Sequence, residues 1–170
     1  MTIKIPSLLA AAGGEIVGKV RLQKAVYLLD QMGMNSGFSY DYHHYGPYSA
    51  ELADRLDEAG VFGKVVEEPR RRASDGVPYS VFRIADSAEI AQDDGLGELS
   101  WEQARDALAA MDRRSATVLE LAATIHWLAV HEKVGDWHAE LVRRKGIKAS
   151  DGRDDQALQL LEELGLAPAA

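Results

Sequence analysis

Cysteine is missing from all 170 residues, which removes disulfides, thiolate zinc ligands and a thiol nucleophile. Nothing in the chain therefore asks for an oxidising compartment. No apolar run approaches the roughly 20 residues of a membrane span. The opening residues 1–6 carry one positive charge, Lys4, and the short apolar run after them meets Gly13-Gly14. That pattern fits no secretory leader, so a soluble cytoplasmic protein is expected. Also missing is a G-x-S-x-G elbow, which leaves no recognisable nucleophile. The H-E-x-x-H zinc pattern begins at His131-Glu132 but has Gly135 where the second histidine must stand.

What is present suits an ordinary folded chain. Apolar residues make up 46% and charged residues 27%, close to globular averages. A chain of this length can bury roughly 68–70% of its unfolded surface. The formal charge is −8, with 19 basic against 27 acidic side chains. It is unevenly spread: residues 1–86 carry −1 and residues 87–170 carry −7. An acidic half repels phosphate backbones and suits a basic protein partner.

Periodicity gives the organisation. A short helix is read over residues 5–12, and a second over 20–32 from its apolar stripe at 22, 25, 26, 28, 29 and 32. Residues 37–45 alternate in an extended manner until Gly46-Pro47 breaks them. Ser49 can cap a helix through Ala59, with Gly60 as its stop. Two strand-like runs, 61–67 and 79–84, flank a polar loop whose Asp75-Gly76 is a turn signal. Helix, extended turn, helix and hairpin is the order of a winged helix-turn-helix. Residues 86–99 are acidic and read as a joint between lobes. Helices follow at 101–112, opened by a Ser100/Gln103 capping box, and at 116–131, 136–144 and 154–164. The expected fold is α+β and predominantly α. It has a winged-helix-like lobe with a small β-hairpin (1–86), with a helical C-terminal lobe (87–170) packed on it as one compact unit.

Most motifs yield to plainer readings. Gly13 to Lys19 has the G-x-x-x-x-G-K spacing of a phosphate-binding loop, yet Val20 stands where Ser or Thr should hold magnesium. The segment before it contains Pro6 and three alanines, poor material for a buried strand. A turn feeding the next helix is the simpler account. His126 and His131 are five apart, which on an α-helix turns them away from each other. No metal site, cofactor or catalytic set is expected.

DNA binding fails a sign test. The helix after the turn carries Glu51, Asp54, Asp57 and Glu58 against Arg55 alone, for −3, which opposes entry between two phosphate backbones. Arg70, Arg71 and Arg72 in the hairpin are the alternative DNA contacts, but Glu67, Glu68 and Asp75 bring that region close to neutral.

Two segments carry a family resemblance. The run Gly18-Lys-Val-Arg-Leu-Gln-Lys-Ala-Val-Tyr-Leu-Leu29 resembles the L-Q-K-x-x-Y helix of YwgA-like and Panacea-type bacterial proteins. Tyr45-Gly-Pro-Tyr-Ser-Ala-Glu-Leu52 is similar to the Y-G-P-x-S turn and helix that follow it there. The resemblance spans about residues 18–60. It implies an antitoxin-like, non-enzymatic module that neutralises a partner, such as a cognate toxin, by direct contact. The acidic surface is of the kind that can stand in for DNA.

Read from the residues, Leu22, Val26 and Leu29 are core positions, and Tyr27 packs against Tyr45 or Tyr48 with its hydroxyl at the surface. The functional alternative makes Gln23, Lys24, Tyr27, Tyr45 and Tyr48 an aromatic-polar patch, with Glu51, Asp54, Asp57 and Glu58 beside it, gripping a protein partner. The structural role is favoured for the first five. A transcriptional regulator on the same scaffold is the other class of function.

Overall fold

The computed structural model describes residues 4–86, 90 and 96–169. Its chain order is α1 (Ile5–Ala11), β1 (Glu15–Val17), α2 (Lys19–Leu29), β2 (Asp41–His43), β3 (Gly46–Tyr48), α3 (Ala50–Val61), β4 (Val65–Arg71) and β5 (Pro78–Ile84). Four helices follow: α4 (Trp101–Asp112), α5 (Ala116–His126), α6 (Trp137–Lys145) and α7 (Arg153–Glu163). The fold is α+β and predominantly α, as the periodicity implies.

Two helices form the centre. Every residue of α2 from Leu22 to Leu29 is buried, as is every residue of α5 from Val118 to His126. Helices buried on all sides belong inside a molecule, and these two pack against each other. Around them, α4, α6 and α7 contribute one inward stripe each, while α1 is buried at six of its seven residues. One contiguous apolar cluster runs from Ile5 and Leu8 through Leu52 and Phe82 to Leu160 and Leu164. The caps sit where the sequence places them. Ser49 Oγ accepts from Leu52 N–H at 3.2 Å, Ser115 caps α5, and Ser100 with Gln103 forms the reciprocal capping box of α4.

The sheet is antiparallel with strand order β1-β5-β4. Ile16 faces Phe82 in one pairing and Glu67 faces Phe82 in the other. A second, two-stranded ribbon pairs β2 with β3, with Tyr42 opposite Pro47.

Several expectations are corrected here. The glycine-rich stretch before α2 is not simply a turn, because Glu15–Val17 forms an edge strand on β5. Gly18 N–H then donates to Ser80 O at 2.7 Å. An antiparallel edge strand inside the G-x-x-x-x-G-K stretch leaves no phosphate-wrapping loop. Gly46-Pro47 does not break the extended segment but starts β3, the return arm of a tight ribbon. Helix α3 runs on to Val61 before the chain turns into β4, so the first hairpin strand begins at Val65 and includes Arg70 and Arg71. Both central helices end in a π turn, Asp30–Met34 and Trp127–His131. Of the expected joint at 86–99, residues 87–89 and 91–95 lie outside the described residues. Its end, Leu96 to Leu99, docks on the first π turn, where Glu98 N–H donates to Gly33 O at 2.8 Å. A Cβ on Gly97 would lie 1.7 Å from Met34 O, so only glycine allows that approach.

Candidate partner-binding site

The two motif segments meet in space, and their polar residues turn inward. Gln23 is 5% exposed and Lys24 is 1% exposed. The Gln23 amide forms a matched pair with the Ser49 backbone: Nε2 donates to Ser49 O at 2.9 Å, and Oε1 accepts from Ser49 N–H at 2.9 Å. Lys24 Nζ donates to Pro47 O. Burial pushes the Lys24 amine down to about 8, partly opposed by the Glu120 carboxylate. Gln23 and Lys24 thus hold the β3–α3 junction, which fixes where α3 begins and how it leaves the core.

Tyr27 differs from its expected place. It does not pack on Tyr45 or Tyr48 with its hydroxyl in water. It is fully buried, lies edge-on to Tyr40 at 5.1 Å between ring centroids, and its hydroxyl bonds His126 Nδ1 at 2.8 Å. His131 lies 5.9 Å from the His126 ring and stacks on Trp127 at 4.7 Å. The α-helical spacing argument that turned these histidines apart therefore does not hold. The π turn, seen in Glu132 N–H donating to Trp127 O five residues back, brings positions five apart together. Burial lowers His126 to about 4, so it is a neutral partner to Tyr27. Among the described residues no group of three or more His, Cys, Asp or Glu side chains is arranged to hold a metal.

The sequence also conceals a buried ion cluster. Glu120, on α5, is 3% exposed at its side chain and pairs with Lys145 Nζ at 3.1 Å and Lys148 Nζ at 3.2 Å. Lys145 also donates to His44 O at 3.3 Å. Arg144 lies over the Tyr42 ring at 4.7 Å and Lys148 over the Tyr45 ring at 4.8 Å. These cations clamp the β2–β3 ribbon to the C-terminal helices.

Gln23, Lys24 and Tyr27 are therefore out of reach of a partner. Tyr45 is 47% exposed, while Tyr48 is half-buried and stacked on His43 at 4.6 Å. The acidic residues of α3 are on the surface. Glu51, Asp54, Asp57 and Glu58 are all exposed, and only Leu52 and Ala59 of that helix are buried. Glu51 accepts from Ser39 N–H at 3.0 Å. Arg55, the sole cation of the helix, pairs with Glu58 at 3.7 Å.

The hairpin arginines are engaged locally. Arg70 meets Glu68 at 3.1 Å, Arg72 meets Asp75 at 2.5 Å, and Arg71 donates to Gly76 O at 3.0 Å. Arg83 joins Glu68 at 3.0 Å. Hydrogen bonds from Arg70 and Arg72 hold the Glu68 and Asp75 carboxyls below the usual carboxylate range. A small acidic-rimmed groove opens beside α3, and Val61 and Phe62 stand exposed at the helix end.

No helix among the described residues is long and apolar enough to cross a membrane. No family model matches the chain. It is similar to the Bacillus subtilis protein YwgA, described as uncharacterized, at 27% identity over 151 residues. The match takes in 89% of this chain and 89% of that protein.

Proposed function

We propose that this chain is a non-enzymatic protein-binding module of the Panacea-type, antitoxin-like kind. It neutralises or regulates a partner by laying the acidic face of α3 over that partner's working surface. The single observation that carries the reading is the sign of charge on α3, whose exposed residues are Glu51, Asp54, Asp57 and Glu58 with one self-paired arginine. The helix is held rigidly from behind by Gln23 and Lys24, which suits an interface that must not reorganise on binding. Its spacing of negative charge along a helix also fits a surface that stands in for a nucleic-acid backbone.

One observation favours a second reading. The three strands β1-β5-β4 lie beside α2 and α3, and the β4–β5 hairpin carries Arg70 to Arg72, which supports a winged-helix-like transcriptional regulator as the alternative. The two separate in a pair of titrations. The protein-binding reading expects no retention of duplex DNA at about 0.15 M salt, a condition in which phosphate-contacting proteins still bind measurably. It also expects that co-expression rescues growth from a co-encoded toxin, and that the rescue is lost when Glu51, Asp54 and Glu58 become lysine. Salt-sensitive DNA binding that disappears when Arg70, Arg71 and Arg72 become alanine would reverse the assignment.

A further inference from the structure

We propose that the groove between α3 and the sheet seats a basic amphipathic segment of a partner protein, an inference that rests on α3 being a partner-facing helix. The groove has a volume of about 430 Å³, within the range that holds an organic group or a large side chain. Its floor is Leu56, Val65 and Phe82, and its rim carries Asp57 and Glu67. Among the described residues, no basic side chain lines it.

At its lip Val61 is 84% exposed, and the adjoining Phe62 is 69% exposed. Two bulky apolar side chains left in water at one helix end mark a surface that gains from being covered. The occupant follows from the combination. An apolar anchor fills the floor, and lysines or arginines beside it meet Asp57 and Glu67. A nucleic acid offers phosphates to the same acids and is repelled. A second copy of this chain would bring its own −8 charge and its own acidic rim.

The test titrates the intact protein with a fluorescent short synthetic helix of leucine and lysine, with amide resonances followed in parallel. Binding is expected to move Gly60, Val61, Val65 and Glu67 first. Affinity should fall roughly tenfold or more when the peptide's leucines become glutamine or its lysines become glutamate. Val61→Lys, a change at an exposed position that leaves the core intact, should weaken binding by a similar factor. Asp57→Asn with Glu67→Gln should weaken it and flatten its salt dependence.

Three results would overturn the proposal: no binding, resonance changes centred elsewhere, or equal binding by Val61→Lys. Self-association of the free protein through these same residues would assign the groove to a second copy and overturn it too. Charge reversal at Glu51 and Asp54, which lie outside the groove, isolates the broader reading. If that reversal abolishes toxin rescue while Val61→Lys does not, the acidic face stands and the groove proposal falls.

Discussion

Gln23 has two hydrogen bonds to one buried backbone unit and no contact with solvent that would replace them. Gln23→Ala strands the Ser49 N–H and leaves its carbonyl with Ala53 N–H alone, and about 2 kcal/mol of stability should be lost in urea unfolding. A smaller loss than 1 kcal/mol would mean that water enters the junction. Gly46 offers a sharper test. Its φ is +93°, and an added Cβ would stand 2.7 Å from Thr124 Oγ1. Gly46→Ala should cost about 2 kcal/mol or more. The same change in a Thr124→Ala background should cost distinctly less, because the backbone strain remains but the clash is gone. A double-mutant cycle measures the difference.

His126 gives the pH dependence. It titrates at about 4 when folded, against an ordinary value near 6.5. As pH falls, the unfolded chain takes up that proton first, so its share of stability is complete above about pH 6.5 and declines toward pH 4. The decline should amount to about 3 kcal/mol in wild type and be absent from the His126→Gln variant, so that it appears in the difference between the two curves.

At this scale the sequence speaks well for apolar side chains and poorly for polar ones. Leu22, Val26 and Leu29 are buried as their spacing implies. Gln23, Lys24 and Tyr27 read as surface groups because their partners, Ser49, Pro47 and His126, lie up to 99 residues away. No local pattern announces a carbonyl supplied from elsewhere.

Among elements, the β2–β3 ribbon depends on charges donated by α5, α6 and the turn after it. Glu120 is the counterion that lets Lys145 stay buried. Breaking a buried pair at one end leaves an uncompensated charge and costs about 3–5 kcal/mol. Glu120→Gln should therefore destabilise by about 3 kcal/mol, whereas Glu120→Leu combined with Lys145→Met should regain most of that loss. Thermal melts of the two variants and the wild type decide it. If the double variant is as unstable as the single one, the loss does not come from an uncompensated Lys145 charge.

The helices were legible because long stripes of period 3.6 and Ser caps act locally. Strand β1 was not, since three residues between glycines carry no alternation and exist as a strand only because Ser80 and its neighbours in β5 pair with them. The π turns were equally hidden, as they preserve composition while shifting the angular position of whatever follows.

For the whole molecule, the deciding property is where the −8 charge meets solvent. On the proposed reading the acidic face of α3 meets a basic partner, and raising salt should weaken that binding through loss of charge attraction. Sequence alone supplied the sign of α3, and the structure added that its four acids are free of the core. A photo-crosslinking residue placed at Asp54 in living cells tests the claim directly, with Arg105 on the exposed side of α4 as the control. The account predicts a discrete protein adduct from position 54 that survives nuclease and is absent from position 105. A nuclease-sensitive adduct at position 54, or the same adduct from both positions, would contradict it.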